Sequence, residues 1–314
     1  MGRGKVSKSG LTFRKSLTGY KYLAPALISI GILTLLPILY TIYIAFTDYT
    51  IYSQGEYNFV GLQNFIDAIN GPFKDVFFPV FGWTVVFAVV STAGCFLVGL
   101  VLAIILSNKN IKEAGFYKGI LILPWALPVT VAILSWQGLF NSNYGAINSI
   151  LMTMHMIKEP IQWLLDPFWA RVGILIANIW LGFPYMMNVC MGAISAIPDD
   201  YFEAAQVDGA NKFMQFIKIT LPSIAQTAYP LLISSFAFNF NNFGSAYLIT
   251  KGGPARLGSQ FAGHTDILAS TVYKLSTTFG RYDMAATLSI ITFLVIGTIS
   301  FIQMRASGQF KEVD

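Results

Sequence analysis

The sequence predicts an all-α integral membrane protein with six transmembrane helices, and three observations carry that prediction. Of 314 residues, 55% are hydrophobic and only 11% are charged, with a mean hydropathy of +0.61. An average soluble domain is about 25% charged, so this chain lacks the polar surface a soluble fold needs. The same composition excludes disorder. The charges are also clustered, leaving six long stretches without Asp, Glu, Lys or Arg. A helix needs about 20 apolar residues to cross about 30 Å of hydrocarbon, and each stretch is long enough.

The elements follow in chain order. Residues 1–22 form a basic N-terminal segment with six Lys or Arg and no acid. The first span covers about 23–46. It is too long for a signal-peptide core and lacks a small-residue cleavage site, so it is read as an anchor. Loop 1, about 47–78, is short and carries the turn signals Gly61 and Gly71-Pro72. Spans two and three are placed at 80–106 and 119–140, the latter with Pro124, Trp125 and Pro128. Residues 141–157 carry Asn, Ser, Gly and His and read as a wet loop with a short helix. Spans four, five and six are placed at 171–196, 223–249 and 284–304. A polar loop at 197–222 separates spans four and five, and 305–314 is a tail. Residues 23–304 thus make one six-span domain.

Orientation follows from the flanking cations. The N-terminal segment, the loops after spans two and four, and the tail hold thirteen Lys or Arg, against seven in the other three loops. Both termini are therefore expected in the cytoplasm.

Several functions are excluded by what the spans lack. None carries an ionisable side chain at mid-depth, whereas ion-coupled transporters usually need intramembrane relays. No phosphate-binding loop of the G-x-x-x-x-G-K-[ST] type occurs. Cys95 and Cys190 lie inside apolar runs and read as packing; His155 and His264 are far apart and outside any zinc spacing. No enzyme activity, metal, cofactor or nucleic-acid partner is expected. A path driven by a partner remains.

The spans are polar in an uncharged way. Span four carries Asn178, Leu181, Gly182 and Tyr185 on one helical face; span five places Ser235, Asn239 and Asn242 at i, i+4 and i+7, with Asn241 pointing elsewhere. Amides bond hydroxyls and rings pack on sugar rings, so these faces suit an uncharged polyol. The alternative is that the amides bind helices together. In the 197–222 loop, Asp199 or Asp200 can cap a helix with Glu203 in its first turn. Ala204 and Ala205 give that helix a low profile for docking, Gly209 permits a reversal, and a second helix runs to Pro222.

The spacing E-A-A-x-x-x-G-x(9)-I-x-L-P is present without a gap as Glu203, Ala204, Ala205, Gly209, Ile219, Leu221 and Pro222. It resembles the signature of membrane subunits of ABC importers. Residues 178–185, 235–243, 249–254 and 263–266 are in turn similar to the MalF-type maltose permease family, over roughly residues 20–305. The resemblance implies an ABC importer type I permease (MetI-like) fold. It implies substrate contacts at Asn178, Leu181, Gly182, Tyr185, Ser235, Phe238, Asn239 and Asn242, with Trp125 where the family has a tyrosine. It also implies a coupling helix with Glu203, Ala204, Ala205, Asp208 and Gly209 as the grip for an ATPase subunit. Some relatives carry extra N-terminal spans and a large loop 1 insertion; this sequence shows neither, so their contacts with the binding protein are absent or replaced.

The resulting expectation is the permease subunit of an ATP-driven maltose or maltodextrin importer in a bacterial cytoplasmic membrane. Its partners would be a MalG-like second permease, two ABC ATPase subunits, an extracytoplasmic maltose-binding protein and the lipid bilayer. The alternatives are an importer permease for another sugar or polyol, and a standalone secondary sugar transporter.

Overall fold

The computed structural model describes residues 13–108 and 110–306. Most of the basic N-terminal segment, Lys109 and the end of the tail lie outside the described residues. Within them every regular element is helical, apart from isolated bridges between Thr47 and Phe59 and between Arg256 and Ser259.

Helix α1 (Phe13–Ile30) passes through one π turn (Gly31–Leu35) into α2 (Leu36–Ala45). The π turn stands directly before Pro37, whose ring would clash with the carbonyl four residues back; a widened turn moves that carbonyl aside. The end of α2 is pinned by Asn64 on α3 (Gln63–Ile69), whose Nδ2 donates to the carbonyls of Ala45 and Thr47 at 3.0 and 2.7 Å. Helix α4 (Lys74–Leu106) begins six residues before the expected start at 80, because Asp75 is tolerated in its first turn near the helix dipole.

The third expected span is not one straight helix. α5 (Ala114–Ala126) and α6 (Val129–Leu139) meet at 92°. Leu127 is extended, with ψ 147°, because the ring of Pro128 disfavours helical backbone in the residue before it. The short helix expected in 141–157 is α7 (Ala146–Thr153). Next comes α8 (Pro167–Ser195), capped by Asp166, whose carboxylate accepts from the N–H groups of Phe168 and Trp169.

Three residues later the chain enters α9 (Asp199–Val207). It then continues through α10 (Lys212–Gln215) and a second π turn (Phe216–Thr220) into α11 (Leu221–Phe240). The helix expected to stop at Pro222 does not stop; the π turn again accommodates the proline. Span five is instead broken further on, at Asn241 and Asn242, before α12 (Phe243–Thr250). α13 (Leu268–Thr277) and α14 (Tyr282–Ala306) complete the described residues. Among the described residues, five helical stretches are long and apolar enough to cross a membrane, and six if the bent pair counts as one.

The α4–α8 pair is the centre of the bundle. A Cβ on Gly99 would lie 2.6 Å from the Met187 backbone nitrogen, and one on Gly182 would run into Cys95 Sγ. Glycine lets the helices meet backbone to backbone at Gly99 and backbone to the Cys95 side chain at Gly182, the close contact that lipid-embedded helices rely on. Outward faces are apolar: Leu33 and Phe293 are 75% and 73% exposed, as suits a hydrocarbon solvent. Gly99→Val should therefore destabilise the detergent-solubilised protein by about 1–3 kcal/mol through overpacking. Gly192→Val on α8, with open space around it, should shift the melting temperature little. Equal melting of the two variants would remove the close-contact account.

Candidate functional site

The nine residues expected at the substrate, Trp125, Asn178, Leu181, Gly182, Tyr185, Ser235, Phe238, Asn239 and Asn242, line a single cavity of about 430 Å³. Cys95, Val129, Leu231, Ser234 and Ser245 complete its wall, and no charged side chain lines it. Trp125 comes from α5 just before the bend. Leu181, Gly182 and Tyr185 come from α8, one turn (Leu181, Gly182) and two turns (Tyr185) along from Asn178.

Asn242 reaches the cavity differently from the expected i, i+7 position on one helix. α11 ends at Phe240, and Asn242 is the N-cap of α12, accepting from the Ser245 N–H at 3.4 Å. Its side chain still turns inward because the cap points it back across the break. Asn241, in the break itself, lines a different depression, against Thr292 and Phe293 of α14, away from the cavity as expected.

The amides largely bond one another. Asn178 Oδ1 accepts from Asn242 Nδ2 and from Ser245 Oγ, both at 2.8 Å, and Asn178 Nδ2 donates to Asn239 Oδ1 at 2.8 Å. Asn239 Nδ2 donates to Thr92 Oγ1 at 3.2 Å and to the Ser235 carbonyl at 2.9 Å. Asn178 and Asn239 are only 4% and 5% exposed. By valence, one N–H of Asn178 and one acceptor site of Asn239 are left over. The helix-binding role of these amides is thus plainly present, and it ties α4, α8, α11 and α12 together. Three aromatic walls remain open: Trp125 is 60% exposed, Phe238 69% and Tyr185 37%. The arrangement offers rings for stacking and a few polar valences, in an uncharged setting.

Sequence reasoning missed Thr92 and Ser245. Ser245 had a signal, since Asn-x-x-Ser is an N-cap pattern. A single Thr in an apolar helix gives none. Gly182 was expected as a lining residue, and its packing against Cys95 Sγ is an added role.

The 197–222 loop lies at the opposite end of α8 from its N-terminal residues. No residue of α9 is buried, and Glu203, Ala204, Asp208 and Gly209 are exposed, with Ala205 half-buried. The cap position falls on Pro198 and carries no side-chain cap, so the cap expected from Asp199 or Asp200 is not made. Both aspartates sit in the first turn, and Glu203 lies beyond it. The far end is a Schellman motif: Ala210 N–H donates to the Ala205 carbonyl at 2.8 Å and Gly209 N–H to the Gln206 carbonyl at 3.0 Å. Gly209 has φ +79°, which a side chain would strain. Tyr201, Val207 and Phe213 are 60%, 88% and 73% exposed around this hairpin.

Fold and cavity together define a multi-pass membrane protein with an open, uncharged and mostly apolar cavity on its helix bundle. Residues 96–311 match the family described as "Binding-protein-dependent transport system inner membrane component", and the chain belongs to that family. It is 39% identical over 300 residues to the galactooligosaccharides transport system permease protein GanP of Bacillus subtilis, covering 94% of this chain and 71% of that one. It is 42% identical over 253 residues to the maltose/maltodextrin transport system permease protein MalF of Salmonella typhimurium, covering 79% of this chain and 49% of that one. The chain thus spans about half the length of that MalF relative. Among solved structures, a bacterial ABC transporter that imports the acidic polysaccharide alginate has the same fold. It has a TM-score of 0.78 at 21% identity, covering 95% of this chain and 98% of that chain.

The amide network generates one expectation. A double-mutant cycle of Asn178→Ala and Asn239→Ala should give a stability coupling of about 0.6–1.7 kcal/mol, the range for such bonds between membrane helices. Additive losses in thermal unfolding would show that the two amides act independently.

Proposed function

We propose that the chain is the permease subunit of an ATP-driven importer for maltose or maltodextrins and forms half of the sugar pathway. The observation that carries this is the cavity: uncharged, walled by Trp125, Tyr185 and Phe238, and floored by Asn178, Asn239 and Asn242. Rings pack against the apolar faces of glucose units, and the spare amide valences take hydroxyls. An uncharged wall suits a neutral substrate, since a buried charge would need a partner. The names of the maltodextrin and galactooligosaccharide relatives support a neutral oligosaccharide.

The partners in this reading are a MalG-like second permease, two ATPase subunits and an extracytoplasmic sugar-binding protein. A solved complex of the alginate transporter with its substrate-bound periplasmic protein supports the last of these by likeness of fold. ATP is hydrolysed by the partners. α9 is the coupling helix: Glu203 and Asp208 pair with cations of the ATPase, Ala204 and Ala205 let it approach, and Gly209 fixes the turn. Closing of the ATPase dimer moves α9, and the short link to α8 carries the motion to the cavity wall. Inverting a 1:99 inward bias to 99:1 requires about 5.5 kcal/mol of differential binding. Both termini are cytoplasmic in this arrangement.

A second reading is a galactooligosaccharide or other neutral oligosaccharide importer. It is favoured by the greater share of both chains covered in the match to the galactooligosaccharide permease.

Uptake by the co-expressed subunits against a panel of glucans and galactans decides between the two. Tyr185→Ala and Phe238→Ala should cut uptake of the true substrate at least tenfold with the complex still assembled. Unchanged uptake would return the rings to packing. Glu203→Ala and Gly209→Pro should abolish ATP-driven uptake while the protein remains inserted, and normal uptake in both would remove the coupling role. A tag at the N-terminus should be protease-protected in right-side-out vesicles; cleavage there would reverse the topology.

A further inference from the structure

Helix α3 and its two capping residues sort their side chains into three sectors. At about 100° per residue, Asn64, Phe65 and Ala68 fall on one side, Leu62, Ile66 and Ile69 on the next, and Gln63, Asp67 and Asn70 on the third. The first sector faces the bundle. Asn64 and Ala68 are buried, and Phe65 packs with Ile44, Ala45 and Ala286. The third is polar, with Gln63 Nε2 donating to Asp67 Oδ1 at 2.9 Å. The middle sector is apolar and bare: Leu62, Ile66 and Ile69 are all exposed.

The place of α3 in the chain bears on what covers that sector. One long apolar helical stretch ends at Ala45 and the next begins at Lys74, so residues 46–73 leave and rejoin the same membrane surface. Seven residues make a helix about 10 Å long, too short to cross about 30 Å of hydrocarbon. The loop is also held close to the helix ends. Besides the two bonds from Asn64, Ile51 N–H donates to the Gly280 carbonyl at 2.7 Å and Asp283 N–H to the Tyr49 carbonyl at 2.9 Å. Exposed apolar surface continues on either side of α3, at Leu39, Tyr40 and Tyr43 on α2, at Phe78 near the start of α4, and at Phe59, whose ring stacks on Phe46 at 6.2 Å. Tyr43 meets Tyr57 edge-on at 6.3 Å, and amphipathic rings of this kind favour the headgroup level.

We propose that α3 is an interfacial anchor lying in the headgroup layer, with Leu62, Ile66 and Ile69 turned to the acyl boundary and Gln63, Asp67 and Asn70 turned to water. A helix with one packed, one apolar and one polar sector fits the line where protein, lipid and water meet. The bare sector is also continuous along the chain with the exposed apolar flanks of α2 and α4, whose solvent is lipid. This seating requires the spans as placed and is independent of the sugar carried. Through Asn64 and the cluster around Phe65, α3 sets the depth of the end of α2 and the start of α14.

Depth in the bilayer is the quantity to measure. Nitroxide labels are placed singly at I66C and Q63C in the assembled complex in lipid nanodiscs, with the signal of the unmodified chain, whose Cys95 and Cys190 are buried, as background. Relaxation by oxygen, which concentrates in hydrocarbon, is compared with relaxation by a water-soluble nickel chelate. The oxygen-to-nickel ratio should be about threefold or more higher at residue 66 than at residue 63, as for a helix lying in the interface. I69C and N70C should show the same contrast, which keeps the test valid if one of the first pair fails to assemble. L33C, on the exposed flank of the first span, supplies the hydrocarbon value. Nickel reaching residues 66 and 69 as readily as 63 and 70 would overturn the proposal and give the sector to water. Exclusion of both reagents from 66 and 69 would overturn it in favour of a protein neighbour such as the second permease. Nickel access that is lost only when the sugar-binding protein is added would overturn it in favour of that protein. A low ratio at L33C would remove the span placement and the anchor together, whatever sugar is transported.

Discussion

The close passage of α4 against α8 is the contact on which the rest depends. Lipid supplies no hydrophobic force between helices, so they are held by packing and polar bonds. Gly99 allows the two backbones to meet, and Cys95 Sγ fits where a Cβ of residue 182 would be. That approach sets the depth of Asn178. From that depth Asn178 reaches Asn239, Asn242 and Ser245, and Asn239 reaches back to Thr92 on α4. The cavity is therefore a by-product of how closely two helices pack. α8 also leads after three residues into α9, so the wall of the cavity and the exposed hairpin are close neighbours along the chain.

Helix irregularity is used in two distinct ways. Before Pro37 and Pro222 a π turn keeps the helix running, with Leu36 N–H donating to the Gly31 carbonyl and Leu221 N–H to the Phe216 carbonyl. At Leu127–Pro128 and at Asn241–Asn242 the helix turns away. These breaks set where the polar atoms stand: Trp125 lies just before one, and Asn242 caps the helix after the other. Backbone freed in a membrane must be satisfied locally, and the Asn242 side chain does this for Ser245 while also meeting Asn178.

Much of this was legible in the sequence. Gaps between charges located the long helices, because lipid imposes a length and a composition on each crossing. Helical spacing placed Asn178, Leu181, Gly182 and Tyr185 on one face, since α8 is regular there. The same rule placed Asn242 inward for the wrong reason: periodicity assumes an unbroken helix, and the cap restores the direction by other means. What spacing cannot show is partnership across helices. Nothing local distinguishes Thr92 from any other buried threonine, and nothing local reveals that the amides spend most of their valences on each other. The missing N-cap of α9 has the same origin, because a Pro at the cap position shifts the helix start by one residue relative to the carboxylates.

The exposed hairpin has one more consequence. α9 is nine residues long and buries none of them, whereas isolated helices below about 12–15 residues are marginal in water. Its acidic first turn and Schellman end hold its shape only weakly without a neighbour. The chain thus presents a weakly held helix edged by bare Tyr201, Val207 and Phe213. In the proposed importer complex, a partner seated on α9 would supply the packing that the helix lacks on its own, so its shape would depend on that contact.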